Sequence, residues 1–373
     1  MKIALFGAFD PDYPRTAVLA ESLEAAGVEV VRIAVPPGTP AVAREVRLLS
    51  GWIARARGLR ALLVPAFGHR DVPLAALIGR RTGMPVLFDP LVSRWDTQVQ
   101  DLGRVRPGSL AEARLRQSDR VALRLADLVL CDTWEQGEFY STRYGVARQR
   151  LKRIPVWADG ATFRAGETRA PRPRGGPAEI LYVGGFLPLH GMPALVDAMS
   201  LIEERHGTRL ARFTLVGSGM MRPYVEREIA ARGLTCVRLL ARVPYEEAIR
   251  RMAEADIALG VFGTTPKAGR VVPHKVWQAM ALGVPVVTRR SPAISEYFRE
   301  GIHLRCVPAG DGESLARVLE ELSGDADGRL RLGSAGREAA RAEGAPERIG
   351  ALLADAIDRA LELTAPRPGT GRR

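Results

Sequence analysis

Short apolar, β-branched runs alternate with longer amphipathic stretches along almost the whole chain. In the first half the runs are KIALFG (2–7), VEVVRIA (28–34), ALLVPA (61–66), PVLFD (85–89), DLVLCD (127–132) and LKRIPVW (151–157). Between them, residues 15–27 and 109–126 repeat apolar positions at helical spacing. Continuous apolar strands separated by helices predict a parallel sheet covered on both faces, the doubly wound α/β arrangement. Residues 159–178 break the rhythm with glycine, proline and arginine and read as a linker. The alternation then restarts at EILYVGG (179–185), RFTLVG (212–217), CVRLL (236–240), DIALGVF (256–262), PVVT (285–288) and HLRCV (303–307). The expected organisation is a Rossmann-like domain over 1–158, the linker, a second such domain over 179–345, a helix over 346–365 and a disordered Pro/Gly/Arg-rich tail over 366–373. Two facing halves of this kind would put the carboxyl ends of both sheets around one cleft, where such sheets bind ligands.

Composition fits that picture and narrows the chemistry. With 373 residues, 46% of them hydrophobic and 26% charged, the chain can bury the cores of two soluble domains. The start, MKIALFGAFDP, is too short an apolar run for a signal peptide or a span, and no later run reaches membrane length. Cys131, Cys236 and Cys306 lie far apart in apolar runs, so they read as buried thiols of a cytoplasmic protein without metal or disulfide spacing. The formal net charge of +12 asks for an anionic partner. Arginines scattered through helices, without interleaved aromatics or a zinc-finger spacing, argue against nucleic acid. Gly7 is followed by AFDPDYPR rather than G-x-G-x-x-G, which argues against a dinucleotide enzyme. In LVGSGMMRPYVEREI, Gly217 and Gly219 sit between a strand and a helix, where exposed amides could meet a phosphate.

Lysine is rare here, and its placement is informative. The only lysines are Lys2, Lys152, Lys267 and Lys275. GTTPKAGRVVPHKVWQAMALGVPVVT (263–288) predicts a loop carrying Lys267 and Arg270, then Pro273, a helix with Lys275 in its first turn, a Gly283 stop and a buried strand. A cation in a first turn opposes the helix dipole unless an anion binds there.

The segment DIALGVFGTTPKAGRVVPHKVWQAMALGVPVVTRRSPAISEYFREGIHLRCVPAG (256–310) resembles the donor-binding core of family-4 glycosyltransferases with the GT-B fold. The match to their P-x-K-x-x-E-A-M-A-x-G-x-P-V-V pattern is Pro273, Lys275, Gln278 to Ala281, Gly283 and Pro285 to Val287. LYVGGFLPLHGMPALVDAM and LVGSG resemble the opening strand–helix unit and the next turn of the donor domain, and ARVPYEEAIRRMAEADIAL resembles the segment whose start, at Val243, contacts the nucleobase. The resemblance implies two facing Rossmann-like domains, a terminal helix crossing back to the first, and retaining transfer of a sugar from a nucleotide-diphosphate sugar. It implies no metal and no cofactor beyond that donor. The family's paired glutamates fall on Arg270 and Gln278, and its usual Arg and Lys after the first donor-domain strand fall on Gly185 and His190. The donor-binding set is therefore Gly7, Arg15, His190, Gly217, Gly219, Val243, Lys267, Arg270, Lys275 and Gln278. The cations would take the diphosphate, and an amide at 278 should tolerate replacement by Glu at the ribose.

On the acceptor side, His69 and Asp89 each follow a strand and are candidates to remove or relay the acceptor proton. The acceptor would be a glycan, a lipid-linked molecule or a small molecule. Residues 42–64 set Arg44, Arg47, Arg55 and Arg57 near Leu48, Leu49, Trp52 and Ile53, as a peripheral helix on an anionic membrane might be built. A helix packed on its own sheet explains the same pattern and is the favoured reading. A nucleotide-sugar epimerase or phosphorylase on the same fold, and a non-catalytic nucleotide-sugar binder, are the alternatives to a transferase.

Overall fold

A computed structural model describes residues 1–169 and 175–365. The expected disordered tail, 366–373, and residues 170–174 of the expected linker lie outside the described residues. Each apolar run forms a strand. The first six are β1 (Lys2–Ala8), β2 (Glu29–Val35), β3 (Ala61–Val64), β4 (Val86–Phe88), β5 (Leu128–Cys131) and β6 (Leu151–Arg153). They make one parallel sheet in the order β2-β1-β3-β4-β5-β6. The next six are β7 (Ala178–Val183), β8 (Ala211–Val216), β9 (Val237–Leu240), β10 (Ile257–Leu259), β11 (Val286–Arg289) and β12 (Arg305–Val307). Their sheet runs β12-β11-β10-β7-β8-β9, again parallel throughout.

The chain divides into two compact units, one comprising Met1–Val99, Gly103–Pro155 and the segment from Pro346, the other Gln100–Leu102 and Val156–Ala345. Each has its own core. Phe6, Val64, Phe88, Val129 and Tyr140 are buried in the first, and Tyr182, Phe186, Phe213, Leu259 and Leu319 in the second. In each sheet the strand order reverses once: at β1/β3 in the first unit and at β7/β10 in the second. Beyond the carboxyl ends of the strands at such a reversal the loops diverge to opposite faces and leave a crevice.

The linker expectation needs correction. Gly160–Thr168 is a helix, because Asp159 caps it by accepting from the Thr162 amide at 2.7 Å and Phe163 is buried. Its glycine serves packing: a Cβ at Gly166 would sit 2.1 Å from the Ala281 carbonyl oxygen, so only glycine lets the two backbones touch. Lys267 and Arg270, expected on a loop, lie on a short helix, Pro266–Arg270, capped by Thr265.

Much of the arginine excess is structural. Arg169 donates to the carbonyls of Ala253 (2.7 Å), Ala255 (2.9 Å) and Gly283 (3.2 Å), and Arg329 to those of Leu322 (2.6 Å) and Ser323 (2.8 Å). A planar fork of five donors reaches several helix-terminal carbonyls spaced apart, where the three donors of an ammonium radiate from one point.

The helix Ala41–Arg55 carries features of both readings of its pattern. It packs on the first unit through Arg44 and Leu48, while Val42 (77% exposed), Val46, Leu49 and Ile53 (66%) face outward. Those four positions recur at helical spacing and form one ridge on the side opposite the packed face.

Candidate functional site

The reversal between β7 and β10 carries the donor-side candidates. At the end of β7 the chain turns through Gly184 (φ +148°), and at the end of β8 through Gly217 (φ +141°) and Gly219 (φ +153°). A Cβ on Gly217 would lie 1.9 Å from the Gly184 carbonyl oxygen, and one on Gly219 would lie 2.6 Å from the Phe186 amide nitrogen. The two turns are thus packed backbone on backbone, tied by Phe186 N–H donating to the Ser218 carbonyl at 2.9 Å. Across the reversal, Gly263 N–H donates to the Leu189 carbonyl at 3.0 Å and Phe262 N–H to that of His190 at 3.1 Å.

Lys275 enters this crevice from the first turn of the helix His274–Ala281, whose N-cap is Pro273 and whose first-turn amides receive no side-chain cap. The side chain is 8% exposed, and its Nζ has no hydrogen-bond partner among the described residues. It lies 3.8 Å from the centroid of the Tyr182 ring, and a Cβ on Gly184 would come within 2.7 Å of it. Burial drags its pKa down to about 7. The ring face attracts the cation without satisfying its N–H donors. A buried, unpaired ammonium beside glycine turns has the attributes of an anion subsite awaiting its anion.

The neighbours divide the remaining roles. His190 is buried, and its Nδ1 shares the Gly185 carbonyl with the Tyr182 hydroxyl, which lies 2.8 Å from that nitrogen. Burial first, and then the charge of Lys275, hold its pKa well below the ordinary value. The geometry ties the His190 ring to the β7 turn through the Gly185 carbonyl and the Tyr182 hydroxyl. Lys267 is buried with its Nζ 3.6 Å from Asp101, which also accepts from the Thr265 hydroxyl at 3.4 Å. Arg270 is half-buried at the end of the same short helix. Gln278 donates through Nε2 to the Tyr245 hydroxyl at 3.1 Å, and that hydroxyl donates to Asp159. Val243 is half-buried just ahead of the Tyr245–Glu254 helix. Tyr182 and Tyr245 were not singled out in the sequence, because a tyrosine in an apolar strand and one at a helix start carry no signature of their own.

In the first unit the geometry is different from that expected. Arg15 Nε donates to Asp89 Oδ2 at 2.8 Å and Nη1 to the Pro155 carbonyl at 2.8 Å, both side chains being almost fully buried. Asp89 Oδ1 also accepts from the Leu91 amide at 3.3 Å. The two residues are held by each other and by a turn, so Arg15 is not placed as a phosphate ligand nor Asp89 as a proton acceptor for substrate. His69 is turned inward by the short 3₁₀ turn Gly68–Arg70, packed edge-on against Phe88 at 5.0 Å between centroids, with Asp119 at 3.6 Å. Burial depresses its pKa to about 4, against the opposing pull of Asp119, and none of its side chain is exposed. It cannot reach an acceptor hydroxyl. Gly7 makes room for Asp71, whose Oδ2 would be 2.9 Å from a Cβ there and accepts from the Ala8 amide at 2.8 Å.

The sequence of both units matches known families. The family model described as "Glycosyl transferase 4-like domain" matches residues 5–157, and "Glycosyl transferases group 1" matches 177–325. Among curated proteins, the amylovoran biosynthesis glycosyltransferase AmsK of Erwinia amylovora is 31% identical over 155 residues, 40% of this chain and 37% of that protein. A D-inositol 3-phosphate glycosyltransferase of Nocardia farcinica is 29% identical over 218 residues, 56% of this chain and 47% of that one. The matches thus span about half or less of these relatives' lengths. Among solved structures, a sucrose-phosphate synthase from Thermosynechococcus elongatus superposes with a TM-score of 0.75 at 18% identity, covering 98% of this chain and 100% of that one. Anabaena HepE in complex with UDP-glucose gives 0.68 at 15% identity, covering 96% and 99%. The two family models together take in both units, and the solved structures share the arrangement of both sheets; the chain belongs to the family-4 glycosyltransferases of the GT-B fold.

Proposed function

We propose that this chain transfers a hexosyl group from a nucleoside-diphosphate sugar to an acceptor hydroxyl, with Lys275 stabilising the diphosphate as it leaves. The observation that carries the reading is the buried, unpartnered Lys275 ammonium at the β7/β10 reversal. As the bond between the anomeric carbon and the diphosphate oxygen breaks, its electron pair passes to that oxygen. Lys275 and the uncapped amides of its helix supply preorganised donors there. The acceptor oxygen bonds to the anomeric carbon and passes its proton to the departing diphosphate oxygen, which lies on the same face. Gln278 keeps its carbonyl oxygen for a ribose hydroxyl while its amide is held by Tyr245. Neither Arg270 nor Gln278 can form a glycosyl ester, so retention in this reading requires attack on the face the diphosphate leaves. The cations that do this work are side chains, so transfer is expected to survive chelation of divalent metal.

UDP-glucose, the ligand of the Anabaena protein, is the first donor to test. Purified chain incubated with UDP-glucose, then GDP-mannose, and a panel of acceptor alcohols should release nucleoside diphosphate and form a glycoside whose anomeric configuration is read by NMR. Nucleotide binding without turnover of any donor would favour the non-catalytic binder.

We further infer a cytoplasmic enzyme working at an anionic membrane face, its contact being the Ala41–Arg55 helix. Among the described residues no helix is long and apolar enough to cross a membrane. The exposed ridge Val42, Val46, Leu49 and Ile53 shares its segment with exposed Arg47, Arg55 and Arg57, a composition that suits an interfacial helix. Flotation with phosphatidylglycerol vesicles should carry the protein up. Val46→Asp/Ile53→Asp should abolish this, whereas self-association lost in the same variant, without any vesicle binding by the parent, would make the ridge a contact between copies.

A further inference from the structure

The other reversal, β1/β3 in the first unit, ends in a feature that donor binding does not use. A cavity of about 660 Å³ opens beyond β3 and β4, with Phe67, Val92, Leu115, Arg70, Arg94 and Arg114 among its lining residues. A second, of about 630 Å³, lies on the Ala8 side and shares Phe67, Arg70 and Arg94 with it. No carboxylate lines the first cavity. In the second, Asp71 is paired with Arg44 at 3.1 Å, so those two charges cancel.

The cavity wall is built. Asp119, fully buried, accepts from the Arg94 amide at 3.2 Å, the Trp95 amide at 3.0 Å and the Ser93 hydroxyl at 2.6 Å, which pins the backbone carrying Arg94. Arg94 Nη1 donates to the Ser118 hydroxyl at 3.0 Å, so the guanidinium is also aimed from its far end. Phe67 stands at the rim in a left-handed backbone conformation (φ 66°), 51% exposed and packed edge-on by Tyr13 at 5.2 Å. A bulky residue in that conformation is costly and persists where the surroundings impose it. Partial burial, and then repulsion from Arg70, hold the Arg94 guanidinium below its ordinary basicity against the opposing pull of the buried Asp119.

We propose that this pocket binds the acceptor through a phosphate ester, with Arg70, Arg94 and Arg114 around the phosphate and Phe67, Val92 and Leu115 against the apolar face of the molecule that carries it. Three forked cations facing one cavity match a doubly charged tetrahedral anion better than a single carboxylate. The inference rests on the glycosyl-transfer reading, since it names the acceptor class of that reaction. The phosphate could belong to a soluble sugar phosphate or to a phospholipid headgroup.

The test is binding by the full chain, measured apart from turnover. Glucose 6-phosphate is titrated against glucose and glucuronate by calorimetry, and phosphatidylinositol vesicles against phosphatidylcholine vesicles by flotation, using protein carrying Val46→Asp/Ile53→Asp so that the apolar ridge does not contribute. The proposal expects glucose 6-phosphate, or the phosphatidylinositol vesicle, to bind at least about tenfold more tightly than its uncharged counterpart. Which arm responds identifies the source of the phosphate. Arg70→Gln and Arg114→Gln, both on the exposed rim, should each weaken that binding by about tenfold or more at unchanged Tm, and Arg94→Gln by more. Flat titrations in both arms, glucuronate bound as tightly as the phosphate, or binding indifferent to Arg70→Gln and Arg114→Gln would each overturn it. UDP binding by the same protein separates the two claims: UDP bound with no phosphate-ester site removes this inference alone, while absence of UDP binding removes the transferase reading beneath it.

Discussion

Lys275 is costly to the empty protein, since its pKa of about 7 in the fold lies below the value of an exposed lysine. The sign follows from linkage. Between about pH 7 and the unfolded value the unfolded chain binds the extra proton, so stability rises with pH there, and below about pH 7 the penalty is fully present. Lys275→Met should therefore raise Tm at pH 6.5, by an amount equivalent to roughly 1–3 kcal/mol, while lowering kcat/KM at least about tenfold. UDP should restore the proton: calorimetry at pH 8 in buffers of different ionisation enthalpy should show proton uptake on binding, absent in Lys275→Met and much reduced at pH 6. Gln278 shows the opposite limit. Its residue type suggested that Glu would serve as well, but Tyr245 has one hydroxyl proton and already gives it to Asp159. Burial and that hydrogen bond keep the phenol protonated, its pKa raised. A carboxylate at 278 would face an oxygen with nothing to donate. Gln278→Glu should lose about 1–3 kcal/mol of stability, and Gln278→Leu much less, while Gln278→Leu weakens UDP binding by several-fold; thermal melts and UDP titrations of both variants decide. Lys275 was legible because lysine is scarce and helix starts repel cations. The partners of Gln278, Arg15 and Asp89 were not, since nothing local announces a contact made across 33 or 74 positions of sequence.

At the scale of elements, every strand was legible in place, though several are shorter than their apolar runs, because continuous β-branched runs bounded by glycine and proline have few other uses in an α/β chain. What escaped was an element fixed by contacts, the Gly160–Thr168 helix, hidden by its glycines; for Ala41–Arg55 periodicity found the apolar stripe and left open what covers it. A strand-end glycine and a helix-end glycine give a contrast that tests the close approach itself. Gly217 and Gly207 both have positive φ, yet a Cβ on Gly207 would meet nothing within 4 Å. Gly207→Ala should cost roughly 1–2 kcal/mol from backbone strain alone and leave UDP affinity unchanged. Gly217→Ala adds a collision with the Gly184 carbonyl and should cost about 2–4 kcal/mol, with UDP affinity falling because the β7 turn must move. Equal effects from the two substitutions would mean that the turns are not coupled.

On the scale of the whole molecule, a net charge of +12 divides among several duties: guanidiniums that finish helices, others that line the cavity beyond β3, and those beside the apolar ridge. No average over composition could separate them. The terminal helix Pro346–Thr364 sets a different whole-molecule constraint. It belongs to the first unit, where it buries Ile349, Leu353 and Ile357 and lays Gly350 against the Ser22 carbonyl of the Pro14–Ala25 helix. Ending the chain at Ala345 should strip roughly 4–9 kcal/mol of burial from that unit, seen as an early melting transition with dye-binding apolar surface, while UDP binding by the second unit persists. In a cell the same arrangement becomes a matter of timing. The first unit is almost entirely translated before the second begins, yet it lacks its closing helix until all of Val156–Ala345 has been made, a wait of roughly 10–40 s at ordinary ribosome speeds. For that interval the Pro14–Ala25 helix offers an uncovered apolar face to whatever is near, so a nascent chain of this protein is expected to hold a chaperone longer than its length alone would require.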